Sequence, residues 1–341
     1  MTEIQEFIPT VATLIDAAHE ARPNKPRPHM GASMLAHPCD RWLWLSFRWA
    51  VQPVFPGRIL RLFRRGHREE ETIISDLRGA GIRVRHTTGA QERVDFGSHV
   101  SGSIDAIIDG GVPEAPGVVH IGEFKTHALK SFNSLVNNGV ERSKPEHYGQ
   151  MQVYMHGTGI DRALYLAVCK DDDRIYTERV QYRPEIAEKL VERGRRIALA
   201  ERMPPPVSTD PSWYQCKFCP AAEFCHDTKL TDHVNCRTCA HSTPRADSTW
   251  HCGRYDAEIA IEYQYEGCPA HTLHPDLVPW PMKDSGIDFV AVYEIDGEEV
   301  LNGAVDDGAF SSKEILTNPS ACAHGLTKAV RAALPGAEVI K

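Results

Sequence analysis

Two carboxylates and an ammonium are set close together in the chain: Asp105 in GSIDAII, then Glu123 and Lys125 in HIGEFKT. Each stretch has the length and apolar filling of a strand. Side chains alternate faces along a strand, so Glu123 and Lys125 point one way and Phe124 the other. Asp105 is expected within the earlier strand, between Ile104 and Ala106. The Asp109-Gly110-Gly111 turn and the loop around Pro113, Pro116 and Gly117 allow the second strand to fold back beside the first. Such a patch offers hard oxygen donors to Mg²⁺ or Mn²⁺ and a cation to an anionic ligand. Ten cysteines form a second chemical resource. Cys216-x2-Cys219-x5-Cys225 is followed by Cys236-x2-Cys239, with Cys252 and Cys268 beyond and Cys39 far upstream. Cys216, Cys219, Cys236 and Cys239 alone would also give a zinc-ribbon spacing.

Elements must position these groups. Phe7, Val11, Leu14, Ile15 and Ala18 recur at helical spacing. Leu60, Phe63, His67, Glu70, Ile74 and Leu77 share one face of a second helix, apolar except for His67 and Glu70. Gly66 in that helix suggests close approach by another backbone or a ligand. PEHYGQMQVYMHG is a helix started by Pro145, with His147, Gln150, Met151 and Tyr154 on one face. ALYLAVCK reads as a central buried strand, DDDR as a turn and IYTERVQY as its partner strand. Pro184 opens another helix, expected to end near Arg202. The order implies a mixed sheet covered by helices, an α/β fold.

Composition bounds the function. The 341 residues carry a formal net charge of −8, unevenly placed. From Arg22 to Arg93 there are 14 Lys/Arg against 6 Asp/Glu, a balance of +8; from Asp284 to Lys341 there are 4 against 10, a balance of −6. A basic segment on an acidic chain suggests a localised polyanion footprint. The first twenty residues show no secretory pattern, and no stretch reaches the length of a membrane span. A cytoplasmic protein is expected, in which cysteines serve metals more readily than disulfides.

The sequence resembles the PD-(D/E)XK nuclease superfamily. The motifs, in order, are GHxxE (Gly66, His67, Glu70), GxxD (Gly102, Asp105), ExK (Glu123, Lys125) and QxxxY (Gln150, Tyr154). They are most similar to its RecB-like branch, which includes phage exonucleases and CRISPR-associated iron–sulfur nucleases. The resemblance covers roughly residues 37 to 226, and departs from the pattern in having Ile104, not Pro, before the aspartate. It implies a restriction-endonuclease-like core and Mg/Mn-dependent DNA cleavage, with an exonuclease of phage recombination, repair or CRISPR-type processing expected. Asp105 and Glu123 would hold the metal, with His67 as a further ligand. Lys125 would orient water or neutralise the scissile phosphate, and Gln150 and Tyr154 would position Lys125 or touch the DNA backbone. The arginines at 58, 61, 64, 65 and 68 could hold phosphates. A non-catalytic DNA-binding module on the same fold is the competing expectation.

The resemblance also implies that Cys39 joins Cys216, Cys219 and Cys225 to hold a [4Fe–4S] cluster, clipping the ends of the domain together. Cys236, Cys239, Cys252 and Cys268 then form a second set, expected to hold a structural Zn²⁺. Cys169 and Cys322 read as buried thiols. Four regions follow: a helix and loop over 1–30, the nuclease domain with its iron–sulfur staple over 31–230, a cysteine-rich module over 231–282, and a small acidic α/β appendage over 283–341. A hairpin at Asp296-Gly297 and a capping box from Ser311 to Glu314 mark the last, and its charge suits a protein partner.

Overall fold

The first helix forms where its periodicity predicts it. In the computed structural model, which describes residues 9–23, 25–85, 92–227 and 229–340, α1 spans Val11–Glu20 behind a Thr10 cap. Phe7, expected in the first helix, lies outside the described residues. Next come β1 (Met30–Gly31), α2 (Asp40–Phe47) and the long α3 (Gly57–Gly79). Asp16, His19 and Glu20 fasten α1 to α3 through Arg61, Arg64 and the Gly57 amide.

The strands β2 (Val84–Arg85), β3 (Arg93–Gly97), β4 (Val100–Ser103) and β5 (Ala106–Ile108) lead through the small hairpin β6 (Gly111–Val112) and β7 (Ala115–Pro116) to β8 (His120–His127). Then follow α4 (Leu129–Ser143), α5 (Pro145–Thr158), β9 (Arg162–Cys169), β10 (Ile175–Gln181) and α6 (Pro184–Ala198). The main sheet has the order β10-β9-β8-β5-β2, parallel only between β8 and β9. β9 is buried along its length, and its faces divide between two cores. Leu164, Leu166 and Val168 meet Phe124 and the α3 residues Ile73, Ile74 and Leu77 on one side. Ala163, Tyr165 and Ala167 meet α5 on the other. The sheet is thus a layer between α3 and α5, as a strand apolar on both faces requires.

Two boundaries differ from expectation. α6 stops at Ala198 rather than near Arg202; the next carbonyl but one, that of Ala200, accepts the Trp44 indole N–H instead. And Asp105 is not inside a strand. The chain bends there, leaving the sheet β1-β4-β3 and entering the main sheet. The Asp105 Oδ2 accepts from the Phe124 amide at 3.1 Å, so a side chain substitutes for a ladder partner at the bend.

Beyond the sheet, α7 (Tyr214–Lys217) and α8 (Ala222–His226) are single turns. The cysteine-rich segment folds as β11 (Ser242–Pro244), β12 (Trp250–Cys252), β13 (Ala257–Glu258) and α9 (Ile261–Gln264). Its Trp250, Ile259 and Leu277 join the larger core of α2 and α5. The C-terminal part pairs β14 (Met282–Asp284), β15 (Ala291–Ile295) and β16 (Glu298–Asn302), then continues with α10 (Ser312–Thr317), α11 (Pro319–Ala323) and α12 (Gly325–Ala333). The hairpin turn is at Asp296-Gly297, both at positive φ, and the Ser311–Glu314 capping box is present. This part has its own core of Tyr293, Ile295, Val300, Phe310 and Ile315. Among the described residues, no helix is long and apolar enough to cross a membrane.

Candidate active site

The register of β5 and β8 builds the site. Ala106 pairs with Gly122 and Ile107 with Ile121, so the next step of the ladder sets Asp105 opposite Glu123. Glu123, Lys125 and His127 then follow at every second residue on the face that α5 covers. Lys125 Nζ lies 2.5 Å from Glu123 Oε1 and 3.6 Å from Asp105 Oδ2. Glu123 is fully buried; the Asp105 and Lys125 side chains are 11% and 24% exposed, opening the cluster on one side. On α5, Gln150 donates from Nε2 to Glu123 Oε2 at 3.0 Å.

Tyr154, one turn further along α5, is buried against the backbone before Asp105. A Cβ added to Gly102 would stand 2.7 Å from Tyr154 Cε1, 2.9 Å from its hydroxyl and 2.7 Å from the Ala32 Cβ. Gly102 is therefore required for close approach: the ring rests on the strand that delivers Asp105. GxxD and QxxxY are two sides of one contact.

Glu70, on α3, is near enough to feel the charges of Asp105 and Lys125. Burial, reinforced by the Asp105 charge, pushes Glu70 up to about 7. Burial also pushes Glu123 up to about 8, against the opposing pull of Lys125. Burial alone would lower Lys125, but Glu123 and Asp105 outweigh it and raise it. Lys125, paired with both Glu123 and Asp105, keeps its proton.

Not every expected ligand is gathered. Among the described residues, no group of three or more His, Cys, Asp and Glu side chains is arranged to hold a metal ion. The expected set of His67, Asp105 and Glu123 is therefore not closed: Lys125 occupies the carboxylate oxygens as an ion pair, and His67 lies exposed on α3. Nor does a backbone approach Gly66, where an added Cβ would meet nothing within 4 Å. Of the five α3 arginines, three are engaged within the protein: Arg61 with Asp16, Arg64 with His19, and Arg65 with the Lys170 carbonyl at 3.3 Å. Arg58 and Arg68 are exposed.

The cysteines segregate into the two sets that the resemblance implies, not into the zinc-ribbon set of Cys216, Cys219, Cys236 and Cys239. Cys39, Cys216, Cys219 and Cys225 line one cavity of about 20 Å³. Cys236, Cys239, Cys252 and Cys268 line another of about 20 Å³. Neither quartet forms a closed ligand set. Burial pushes Cys236 up to about 12 and Cys239 up to about 11 and raises Cys216, Cys219 and Cys225. Cys169 and Cys322 are fully buried.

Three neighbours of the site had weak signals in the sequence. His127 extends the alternation of Glu123 and Lys125 by one step. Tyr165 is the polar tip in an apolar strand and pairs with Glu123 across β8 and β9. Its hydroxyl lies 2.8 Å from His127 Nε2 and 2.9 Å from His147 Nδ1. Burial, then nearby lysines, hold His127 down to about 4 and His147 down to about 3, so both are neutral at pH 7. A cavity of about 750 Å³ lies elsewhere and is walled by Arg85, Arg93, Asp95 and Asp109 among others, with none of the cluster.

No protein-family model matches the chain, and no curated protein sequence does. Among solved structures, an alkaline exonuclease from Laribacter hongkongensis is similar at 15% identity over 54% of this chain and 89% of that chain, with a TM-score of 0.38. The same exonuclease in complex with dAMP gives 16% identity over 54% and 89%, with a TM-score of 0.37. A protein described as SSO0001 gives 14% identity over 64% of this chain and 98% of that chain, with a TM-score of 0.40.

Proposed function

We propose that the chain is a metal-dependent deoxyribonuclease, acting as an exonuclease on DNA ends. One observation carries this reading: Asp105 and Glu123 face each other across β5 and β8 with Lys125 between them, at the open side of a cluster holding excess negative charge. Asp105, Glu123 and Glu70 bring three carboxylates against the single Lys125 ammonium. Full ionisation would leave about −2, by simple counting of ordinary carboxylate and ammonium charges. That is a donor set suited to Mg²⁺ or Mn²⁺, so the residues fit the ion. Asp105 and Glu123 would hold it, with Glu70 on α3 as a further carboxylate within reach of the Asp105 charge and His67 assigned by the resemblance. When bound, such an ion polarises a phosphodiester and lowers the pKa of bound water.

The chain's own residues then have distinct tasks. Gln150 holds one Glu123 oxygen and so fixes the orientation of the carboxylate. The Lys125 ammonium, 24% exposed at the open side of the cluster, could meet a phosphate oxygen or orient a water. Tyr154 buttresses the strand before Asp105.

The resemblance further assigns a [4Fe–4S] cluster to Cys39, Cys216, Cys219 and Cys225. Their shared cavity and donors support it: Trp42 N–H points at Cys39 Sγ and Ala221 N–H at Cys219 Sγ, both at 3.4 Å. Such donors favour thiolate over thiol.

End-labelled single- and double-stranded DNA, incubated with Mg²⁺ or Mn²⁺, tests the assignment. Progressive shortening by the wild type and none by Glu123→Ala is expected. DNA binding without cleavage under either metal would instead establish a binding module.

A further inference from the structure

Two guanidinium groups are buried in the seam between the cysteine-rich segment and the main core. Arg237 is 1% exposed and Arg48 2%. Their hydrogen bonds go to neutral oxygens. Arg237 donates to the carbonyls of Phe47 and Pro28 and to the Gln264 amide oxygen; Arg48 donates to the carbonyls of Arg237 and Ala200. Aromatic faces surround them, with Arg237 3.8 Å from the Trp49 ring centroid and Arg48 4.7 Å from that of Trp44. Ring faces attract a guanidinium, but they leave its full positive charge in the interior, and burying an ion is costly. Asp276 and Glu201 send some negative field to Arg48, but Asp276 is bound by Arg202. Two buried positive charges thus call for a buried negative one.

Arg237 lies inside Cys236-x2-Cys239, whose 3₁₀ turn sets both thiols on one cavity with Cys252 and Cys268. Two histidines border that cavity. His271 Nδ1 and Nε2 are within bonding distance of Ser312 and Thr238, and His241 Nε2 of Thr272. The four sulfurs are the soft donors gathered on the cavity. The Thr272 amide already points at Cys239 Sγ at 3.5 Å. Four thiolates around Zn²⁺ carry a net charge of −2.

We propose that Cys236, Cys239, Cys252 and Cys268 bind a structural zinc ion as thiolates, with Arg237 and Arg48 as the buried counter-charges of that dianionic centre. Arg48 caps the end of α2 opposite Cys39, so the zinc charge bears on the same helix that supplies a thiol to the other quartet. Binding releases the thiol protons to solvent. The assignment does not depend on phosphodiester cleavage.

The test uses the full chain, produced with zinc and iron supplied and analysed by metal quantitation and native mass spectrometry. About one zinc per chain is expected, lost in Cys252→Ser and kept in Cys252→His, since imidazole can replace a zinc thiolate. On wild-type protein, chelation should remove the zinc and lower Tm, and Zn²⁺ alone should restore it. Arg237→Met should weaken zinc binding at least tenfold while leaving the zinc-free protein as stable as wild type or more so. Zinc content indifferent to Cys252→Ser, iron held by this quartet, or unchanged zinc affinity in Arg237→Met would overturn the proposal.

Discussion

Lys125 Nζ stands 2.5 Å from Glu123 Oε1 and 3.6 Å from Asp105 Oδ2, bridging two carboxylates that come from facing strands. An ammonium in that position competes with a divalent cation for the same oxygens. Lys125→Met should therefore tighten Mn²⁺ binding, measured calorimetrically, while slowing DNA cleavage by orders of magnitude. It should also make Tm depend more steeply on added metal, because Glu123 is left buried and unpaired. Weaker Mn²⁺ binding in the variant would contradict this placement of charge.

Gln150 is the orienting partner of Glu123. Gln150→Glu replaces a donor with a fourth acid and should reduce cleavage about 10- to 100-fold, the range for losing a partner of a metal ligand. Far-ultraviolet circular dichroism should remain that of the wild type. Undiminished cleavage would show that the hydrogen bond has no part in the chemistry.

Gly102→Ala forces a methyl into the Tyr154 ring and the Ala32 side chain. Overpacking of this kind costs about 1–3 kcal/mol, readable in a urea titration. Cleavage should fall as well, since the displaced strand carries Asp105. A variant as stable as wild type would mean that Tyr154 moves freely, and the buttress would not exist.

In the C-terminal part, Glu314 and Arg331 form a buried ion pair. Burial would raise the Glu314 carboxyl, but the amides of Val339 and Ser311, the Ser311 hydroxyl and Arg331 together hold it below the ordinary range. Its folded pKa lies under its unfolded value of about 4.3. The stabilisation is thus complete above that pH and is lost as pH falls below it. Glu314→Gln should flatten the acid limb of a Tm-against-pH curve below pH ~4.3. At neutral pH it should cost about 3–5 kcal/mol by stranding Arg331. An unchanged acid limb would place the acid sensitivity elsewhere.

Protein purified without oxygen should be brown, with iron lost in Cys39→Ser and retained in Cys252→Ser. Colourless wild-type protein, prepared with iron supplied, would remove the cluster and leave the cleavage prediction untouched.

Local patterning alone determined much of this protein. An apolar run on β9 required cover on both faces, the alternation in HIGEFKT separated Phe124 from Glu123 and Lys125, and the Pro145 start placed His147, Gln150 and Tyr154 along one helix face. These follow from the periods of 2 and 3.6 that strands and helices impose on any sequence. The cysteines needed more than spacing, which also allowed a zinc ribbon of Cys216, Cys219, Cys236 and Cys239; the resemblance implied the quartets that line separate cavities. Other features depended on long-range contacts that no local pattern encodes. Asp105 reads as a strand residue because its neighbours are apolar; only the meeting of two sheets made it a bend bonded to the Phe124 amide. Gly66 and Gly102 look alike in sequence, yet one faces open space and the other an aromatic ring. The α3 arginines form a uniform basic stripe, and docking of α1 decided that Arg61 and Arg64 turn to Asp16 and His19. Arg48 and Arg237 are ordinary surface residues by composition. They became buried charges because folding brought together segments nearly 190 residues apart, joined by the Arg48 bond to the Arg237 carbonyl. Electrostatic demand of that kind arises only when distant groups share a low-dielectric interior, so it belongs to the tertiary structure.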